Sequence, residues 1–379
     1  MYFDLQKNSE ICYNKFMSKI YDNAQKKQTA VMCYACFNSH EDIDMKMSEL
    51  KSLIKANNID VVGMIVQNIK KPDLSYLIGT GKLEELKQQV DVTSADMVIF
   101  QNELSGSKIN NLEQFLNVKV IDRTMLILDI FAERAQSREG KLQVELAQLK
   151  YSLPRLAGLK ASNNRYGGGV GMRGPGETKL ELDRRKVENQ ILSKQKELDI
   201  VKANRDLRRK QRIETGQKTV ALVGYTNSGK STLMNVITKS DVFVKDMLFA
   251  TLDTTTRKVF LNENLTILLS DTVGFVSDLN HELVDAFKST LEESLTADLL
   301  LNIVDISDPE AFKKEQITKD VLAELGVDLS KVKTVYNKID KIHQVPVNDC
   351  LQISAKQNVN IDKLKNLIID YFQNGCNKN

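Results

Sequence analysis

The chain has 379 residues, more than one domain usually holds, so two or three units with separate cores are expected. Hydrophobic residues make up 42% and charged residues 27%, which excludes a disordered or fibrous chain, and a net charge of only +3 gives no whole-molecule pull on nucleic acid. No apolar run reaches bilayer length, no signal-peptide core follows Met1, and five cysteines, an odd number, favour a reducing compartment, so a cytoplasmic protein without stable membrane insertion is expected.

Residues 1–28 are polar and aperiodic and read as an N-terminal extension. From 29 to 122, apolar β-branched runs at 29–37, 59–67, 96–101 and 118–121 alternate with helical patterns at 41–57, 82–90 and 107–117. That alternation predicts a small α/β domain with a mainly parallel sheet. Cys33 and Cys36 form a CxxC inside the first apolar run, but no second CxxC or histidine pair lies nearby, so neither zinc nor redox chemistry is expected. The three histidines, at 40, 281 and 343, are scattered and imply no His-based chemistry.

Residues 123–212 predict a long antiparallel helical hairpin, with one nearly uninterrupted helical run to about 159 and a second charged run to 212. Its tip, 163–177, contains Gly167, Gly168, Gly169, Gly171, Gly174 and Gly176, a backbone that is cheap to approach and free to move. Such a tract is either a contact loop or a plain linker. The second run is locally basic, with Arg184, Arg185 and Lys186 followed by Lys194, Lys196, Lys202, Arg205, Arg208, Arg209, Lys210 and Arg212, against Asp183, Glu188, Glu197, Asp199 and Asp206. A solvated face is the plain alternative to nucleic-acid contact.

Residues 218–373 return to alternation, with strands expected at 219–223, 257–261, 266–270, 299–304, 333–336 and 351–353, and residues 374–379 form a tail. The motifs sit at the carboxyl ends of these strands, where open α/β sheets bind ligands. Gly224, Tyr225, Thr226, Asn227, Ser228, Gly229, Lys230 and Ser231 fit GxxxxGK[ST] between a strand and a helix. In that loop backbone amides cradle the β-phosphate, Lys230 bridges the β and γ phosphates, and the Ser231 hydroxyl ligates Mg²⁺. Asp271, Thr272, Val273 and Gly274 form DxxG, placing a carboxylate beside the metal through water and the Gly274 amide near the γ-phosphate. Asn337, Lys338, Ile339 and Asp340 form NKxD. The Asp340 carboxylate can accept from guanine N1–H and N2–H₂, whereas adenine offers no donor there, so GTP and GDP are the expected ligands. Ser354, Ala355 and Lys356 follow in order and offer an amide to guanine O6. Phe249, Ala250, Thr251, Leu252 and Asp253 read as a switch whose hydroxyl completes the Mg²⁺ shell. Thr251 is the candidate, with another threonine of 254–256 as the alternative. Lys230, Thr251 and Gly274 are the candidate catalytic groups.

With these motifs placed, the chain from about 29 to 373 resembles the HflX-family GTPases of the translation-factor-related class. The specific segments are Leu77-Ile-Gly-Thr-Gly-Lys82, Asp122-Arg-Thr124, Ala132-Glu-Arg-Ala-Gln-Ser-Arg-Glu-Gly140, Leu153-Pro-Arg-Leu156, the loop 167–177 and Phe249-Ala-Thr-Leu-Asp253. The resemblance implies an α/β domain with a helical hairpin followed by a Ras-like, doubly wound P-loop GTPase domain. It also implies a monomer that binds the large ribosomal subunit and its RNA, places the hairpin loop near the peptidyl-transferase region, and separates stalled or idle ribosomes into subunits. A GTPase aiding ribosome assembly or RNA remodelling is the alternative, disfavoured by the hairpin and its loop. A lipid-binding switch is disfavoured because the basic helix, between Asp183 and Arg212, is expected to lack the aromatic and bulky apolar face of a surface-seeking helix. Many relatives carry a further C-terminal domain, and contacts attributed to it are expected to be missing. Gly-Thr-Gly-Lys82 is no second P-loop, since Leu83 and Tyr76 stand where a hydroxyl residue and the first glycine are required.

Overall fold

The computed structural model describes residues 27–37, 42–156, 179–214, 216–239, 249, 255–263, 265–275, 296–342 and 350–374. The first unit is built on four parallel strands, β1 (Thr29–Cys36), β2 (Asp60–Asn68), β3 (Met97–Phe100) and β4 (Lys119–Asp122), in the order β2-β1-β3-β4. Helices α1 (Ile43–Ala56), α2 (Thr80–Thr93) and α3 (Gly106–Leu116) connect them. In β1 almost every side chain is buried, because the strand is central and covered on both faces. Met32, Tyr34 and Cys36 enter one cluster while Val31, Cys33 and Ala35 enter the other. The two cysteines of the CxxC therefore point to opposite faces, as residues three apart in a strand must. Burial pushes the Cys33 thiol far up, away from thiolate chemistry.

The helical run expected from residue 123 divides in two. Helix α4 (Arg123–Arg134) starts at Asp122, whose side chain accepts the Met125 amide, and ends at Ala135 in an extended conformation. Ser137 then caps a new start, its hydroxyl accepting the Gly140 amide at 2.9 Å, and α5 (Arg138–Leu156) follows. The reason is burial: Leu126, Ile127, Ile130 and Phe131 of α4 are in the core of the first unit. The hairpin proper is α5 with α6 (Lys179–Glu214), a helix of 36 residues and roughly 54 Å. Leu142 and Leu146 meet Leu198, Ile191 and Val201 between them, flanked by Lys194–Glu145 at 3.0 Å and Arg205–Glu139 at 2.8 Å. The loop end of α5 is tied to the sheet. The Tyr151 hydroxyl donates to fully buried Asp122, and Arg155 lies over the Tyr151 ring while it pairs with Glu103 at 3.1 Å. The loop 163–177 lies outside the described residues.

The second unit has β5 (Lys218–Val223), β6 (Thr255–Asn262), β7 (Leu265–Asp271), β8 (Leu299–Asp305), β9 (Val332–Asn337) and β10 (Leu351–Gln352), ordered β10-β9-β8-β5-β7-β6. Only the β6–β7 pair, a hairpin, is antiparallel. Helices α7 (Lys230–Thr238) and α9 (Ile361–Asn374) cover one face through Leu233, Met234, Leu364 and Ile368. Helix α8 (Ala311–Glu324) covers the other through Leu322. This is a doubly wound α/β architecture. Both sheets fasten their central strands in the same way. Thr29 gives its amide and hydroxyl to Asp96, and Thr219 gives the same two groups to Asp298, at 2.8–3.0 Å.

The two units share a core. The Phe131 ring meets Phe249 edge-on at 4.6 Å, and Tyr225, Val273 and Phe275 join the same cluster. At its rim the Tyr225 hydroxyl donates to Glu49 at 2.9 Å, Glu49 pairs with buried Arg123 at 3.3 Å, and Lys313 reaches Asp42 at 3.4 Å. Among the described residues no helix is long and apolar enough to cross a membrane, and no cluster of three or more potential metal ligands occurs.

Candidate functional site

The carboxyl ends of β5, β7, β8 and β9, with the turn after β10, converge on one cradle. Gly224 leaves β5 with φ 141°, and Gly229 precedes α7 with φ 95°. A Cβ on Gly229 would come within 2.3 Å of the Asn337 side-chain nitrogen, so only glycine allows the phosphate loop and the NKxD loop to meet here. The first turn of α7 starts without a side-chain cap, which leaves its amides and positive dipole end facing the loop. Lys230 folds back over this loop, donating to the Gly224 and Tyr225 carbonyls at 3.1 and 2.8 Å. Burial pushes its ammonium down to about 8, with the Asp271 carboxylate acting in the opposite sense and Lys338 in the same sense. A phosphate dianion supplies the counter-charge such a buried cation needs.

The Ser231 hydroxyl lies 2.6 Å from an Asp271 carboxylate oxygen. Two hard oxygen donors, one anionic, suit a small divalent cation, which Ser231 would ligate directly and Asp271 would hold through water. Thr251, the expected third group, lies outside the described residues with Ala250, Leu252, Asp253 and Thr254. Phe249, at the head of that segment, is buried with φ 54°. Thr272 is fully buried and its hydroxyl is spent on the Leu222 carbonyl at 2.7 Å, which fixes β7 to β5 just where DxxG begins. Val273 packs in the shared core. Gly274 passes so close to the loop that a Cβ would sit 2.7 Å from the Thr226 Cα and 3.0 Å from the Lys230 Nζ. Beyond it Phe275 is bridged to the phosphate loop in both directions, Thr226 N–H to Phe275 O at 2.8 Å and Phe275 N–H to Gly224 O at 3.1 Å.

On the base side the Asn337 amide donates to Ser228 O at 2.9 Å and accepts from the Ala355 amide at 3.0 Å, joining three motifs through one side chain. Lys338, at φ 66°, turns back to reach Asn227 O at 2.7 Å. The Ser354 hydroxyl donates to Asp340 at 2.5 Å and so orients the carboxylate. Ile339 packs on the small apolar cluster beneath, and Lys356 is exposed. The structure brings together every motif of the cradle that it describes. Sequence reasoning missed Asp305, which pairs with Lys338 at 2.7 Å, and Glu49, which holds the Tyr225 hydroxyl from the other unit. Each partner is far away in the chain, so no local spacing announces it.

Three family models match in series: GTP-binding GTPase N-terminal over residues 44–132, GTP-binding GTPase Middle Region over 134–212, and 50S ribosome-binding GTPase over 219–338. The GTPase HflX of Caldanaerobacter subterraneus subsp. tengcongensis is 48% identical over 343 residues, which are 90% of this chain and 80% of that one. The GTPase HflX of Escherichia coli K12 is 41% identical over 323 residues, 85% of this chain and 76% of that one. A solved SsGBP and GDP complex superposes with a TM-score of 0.51 at 26% identity, covering 90% of this chain and 98% of that one.

Proposed function

The chain belongs to the HflX family of GTP-hydrolysing enzymes, and from that premise we propose that it uses GTP on the large ribosomal subunit to separate stalled or idle ribosomes into subunits. The observation that carries this reading is the shared core. Phe249 heads the switch segment and Val273 and Phe275 belong to or follow DxxG, yet all three belong to the apolar cluster that holds Ile127, Ile130 and Phe131 of the first unit, and the Phe249 ring meets the Phe131 ring. Gly274 and the Thr251 segment are the parts that a γ-phosphate and its metal would engage, and a shift there would be passed to the first unit through those side chains. The hairpin follows because Asp122, Tyr151 and Arg155 lock the loop end of α5 to the same sheet.

In this reading Lys230 would bridge the β and γ phosphates, Ser231 and Thr251 would hold Mg²⁺, the Gly274 amide would meet the γ-phosphate, and Asp340 would select guanine. The divalent ion would neutralise charge between the phosphates. This chain's own part is to orient the nucleotide with the loop amides 224–231 and to clamp the base through Asn337 and Asp340.

The partner surface is the side of α6 turned away from α5. Arg185 and Lys196 alternate there with exposed Leu182, Leu192, Ile200 and Leu207, an apolar row that the sequence reading did not expect on this helix. A basic and apolar stripe suits an RNA backbone and its exposed sugars and bases. Neutralising Arg184, Arg185 and Lys186 together is expected to weaken binding to large subunits and to flatten the log–log salt dependence by roughly 0.7–0.9 per lost phosphate contact. Pelleting of the protein with subunits across a salt series reads this directly. Binding that is unchanged at every salt concentration would reduce those residues to solvated surface.

A further inference from the structure

The cradle is held closed by two side chains of the NKxD motif, and only one of them is charged. Asn337 ties the phosphate loop at Ser228 O through a neutral amide, while Lys338 ties it one residue earlier, at Asn227 O, through its ammonium. That ammonium is also 2.7 Å from Asp305, and both side chains are largely out of water, at 15% and 21% exposure. Asp305 is the last residue of β8, the strand between the one that leads into the phosphate loop and the one that leads into NKxD. Its two carboxylate oxygens have separate tasks. One accepts from the Ser307 amide and hydroxyl at 3.1 and 2.6 Å, and the other takes Lys338.

We infer that Asp305 is a positioning residue for the nucleotide site, acting through Lys338 to hold the phosphate loop and the base loop at the spacing a guanine nucleotide bridges. Lys338 is the only cation placed to join the two loops among the described residues, and left alone its ammonium could turn to solvent or to the nucleotide phosphates. Asp305 fixes it on Asn227 O instead. Neither Asn227 O nor Asp305 is among the groups assigned to the γ-phosphate, so the contact is expected alike with GDP and with GTP. Its loss should therefore appear in nucleotide retention and not in the hydrolytic step.

This inference rests on the cradle being the guanine-nucleotide site, and the test separates the two. The full chain with Mg²⁺ is loaded with a fluorescent GDP analogue and chased with GDP. Asp305→Asn keeps the Ser307 turn but removes the charge, and release is expected to quicken on the order of tenfold, the scale of one charge-assisted hydrogen bond. Turnover at saturating GTP is expected to stay within about twofold. Ser307→Ala, which disturbs the turn alone, is expected to release at the wild-type rate. Asp305→Ser, whose hydroxyl can cap the same turn, provides a second neutral variant should the first fail to fold. Introduced into Lys338→Met, Asp305→Asn is expected to add nothing further, since its effect runs through that lysine. An equal acceleration in the Lys338→Met background would overturn the inference. So would slower release from Asp305→Asn, the result if Asp305 merely repelled phosphate. A wild-type chain that fails to bind the analogue would instead strike at the reading of the cradle itself.

Discussion

Large ribosomal subunits are expected to accelerate GTP hydrolysis by the full chain by a factor on the order of 10³ or more, from an unassisted rate on the order of 10⁻⁴ to 10⁻² s⁻¹. The residue after DxxG is where related P-loop GTPases carry the glutamine that orients the attacking water. Here it is Phe275, which has no hydrogen-bonding group, and the structure adds that the ring is 2% exposed in the core shared by the two units. Its backbone is bonded to Gly224 and Thr226, so the position cannot swing a substitute group toward the γ-phosphate without breaking that bridge. On the proposed reading the water-orienting group comes from outside, or the switch around Thr251 is ordered from outside; a polar side chain of 254–256 that already orients the water is the alternative this experiment separates. Phe275→Gln is a telling companion variant. A glutamine at this site would bury an amide in an apolar core at a cost of about 1–3 kcal/mol, so it is expected to lower stability without restoring fast turnover. Phosphate release measured with and without subunits, for both proteins, checks this. Fast turnover by the isolated chain, indifferent to ribosomes, would refute it.

Asp340→Asn is expected to cost GTP about 2 kcal/mol or more of binding, a loss of roughly thirtyfold, and to erase much of the preference over ATP. The carboxylate is aimed by Ser354 and can accept from both guanine donors, so the neutral amide must turn a donor toward a donor. The same change offers a donor to a C2 carbonyl, and xanthine carries one in place of the guanine amino group. XTP should therefore gain where GTP loses. Competition of GTP, ATP and XTP against a fluorescent guanine nucleotide separates the three. Equal ATP and GTP affinity already in the wild-type chain would remove Asp340 from its role.

The sequence makes local features plain. Strand β1 shows as an apolar β-branched run, and the phosphate loop, DxxG, NKxD and the Ser-Ala-Lys turn are short enough to be recognised by spacing and by the strand each one follows. The break at Ala135–Ser137 was hidden because α4 and α5 have compatible helical periods on either side of it. What divides them is that Phe131 and its neighbours are buried in the sheet unit while Leu142 and Leu146 face α6. No periodicity distinguishes one burial partner from another. Phe275 was legible as a residue that lacks a catalytic group, but its place between the units was not. The Glu49–Tyr225 bond spans 176 residues and the Asp305–Lys338 pair joins two strand ends, and both arise only when the sheets assemble. The parts of the site set by one loop could be read in advance. Those set by the meeting of two elements required the fold.

The central claim is that this GTPase converts nucleotide binding into the separation of ribosomal subunits, through a hairpin fixed to the unit that its switch segments pack against. Sedimentation of intact, message-free ribosomes with the full chain tests it most directly, in parallel with GTP, a non-hydrolysable GTP analogue, GDP and no nucleotide. The account predicts that ribosomes shift to free subunits with GTP or its analogue, with the protein travelling on the large subunit, and remain intact with GDP or without nucleotide. Ribosomes that stay whole under all four conditions, or come apart equally well with GDP, would contradict it.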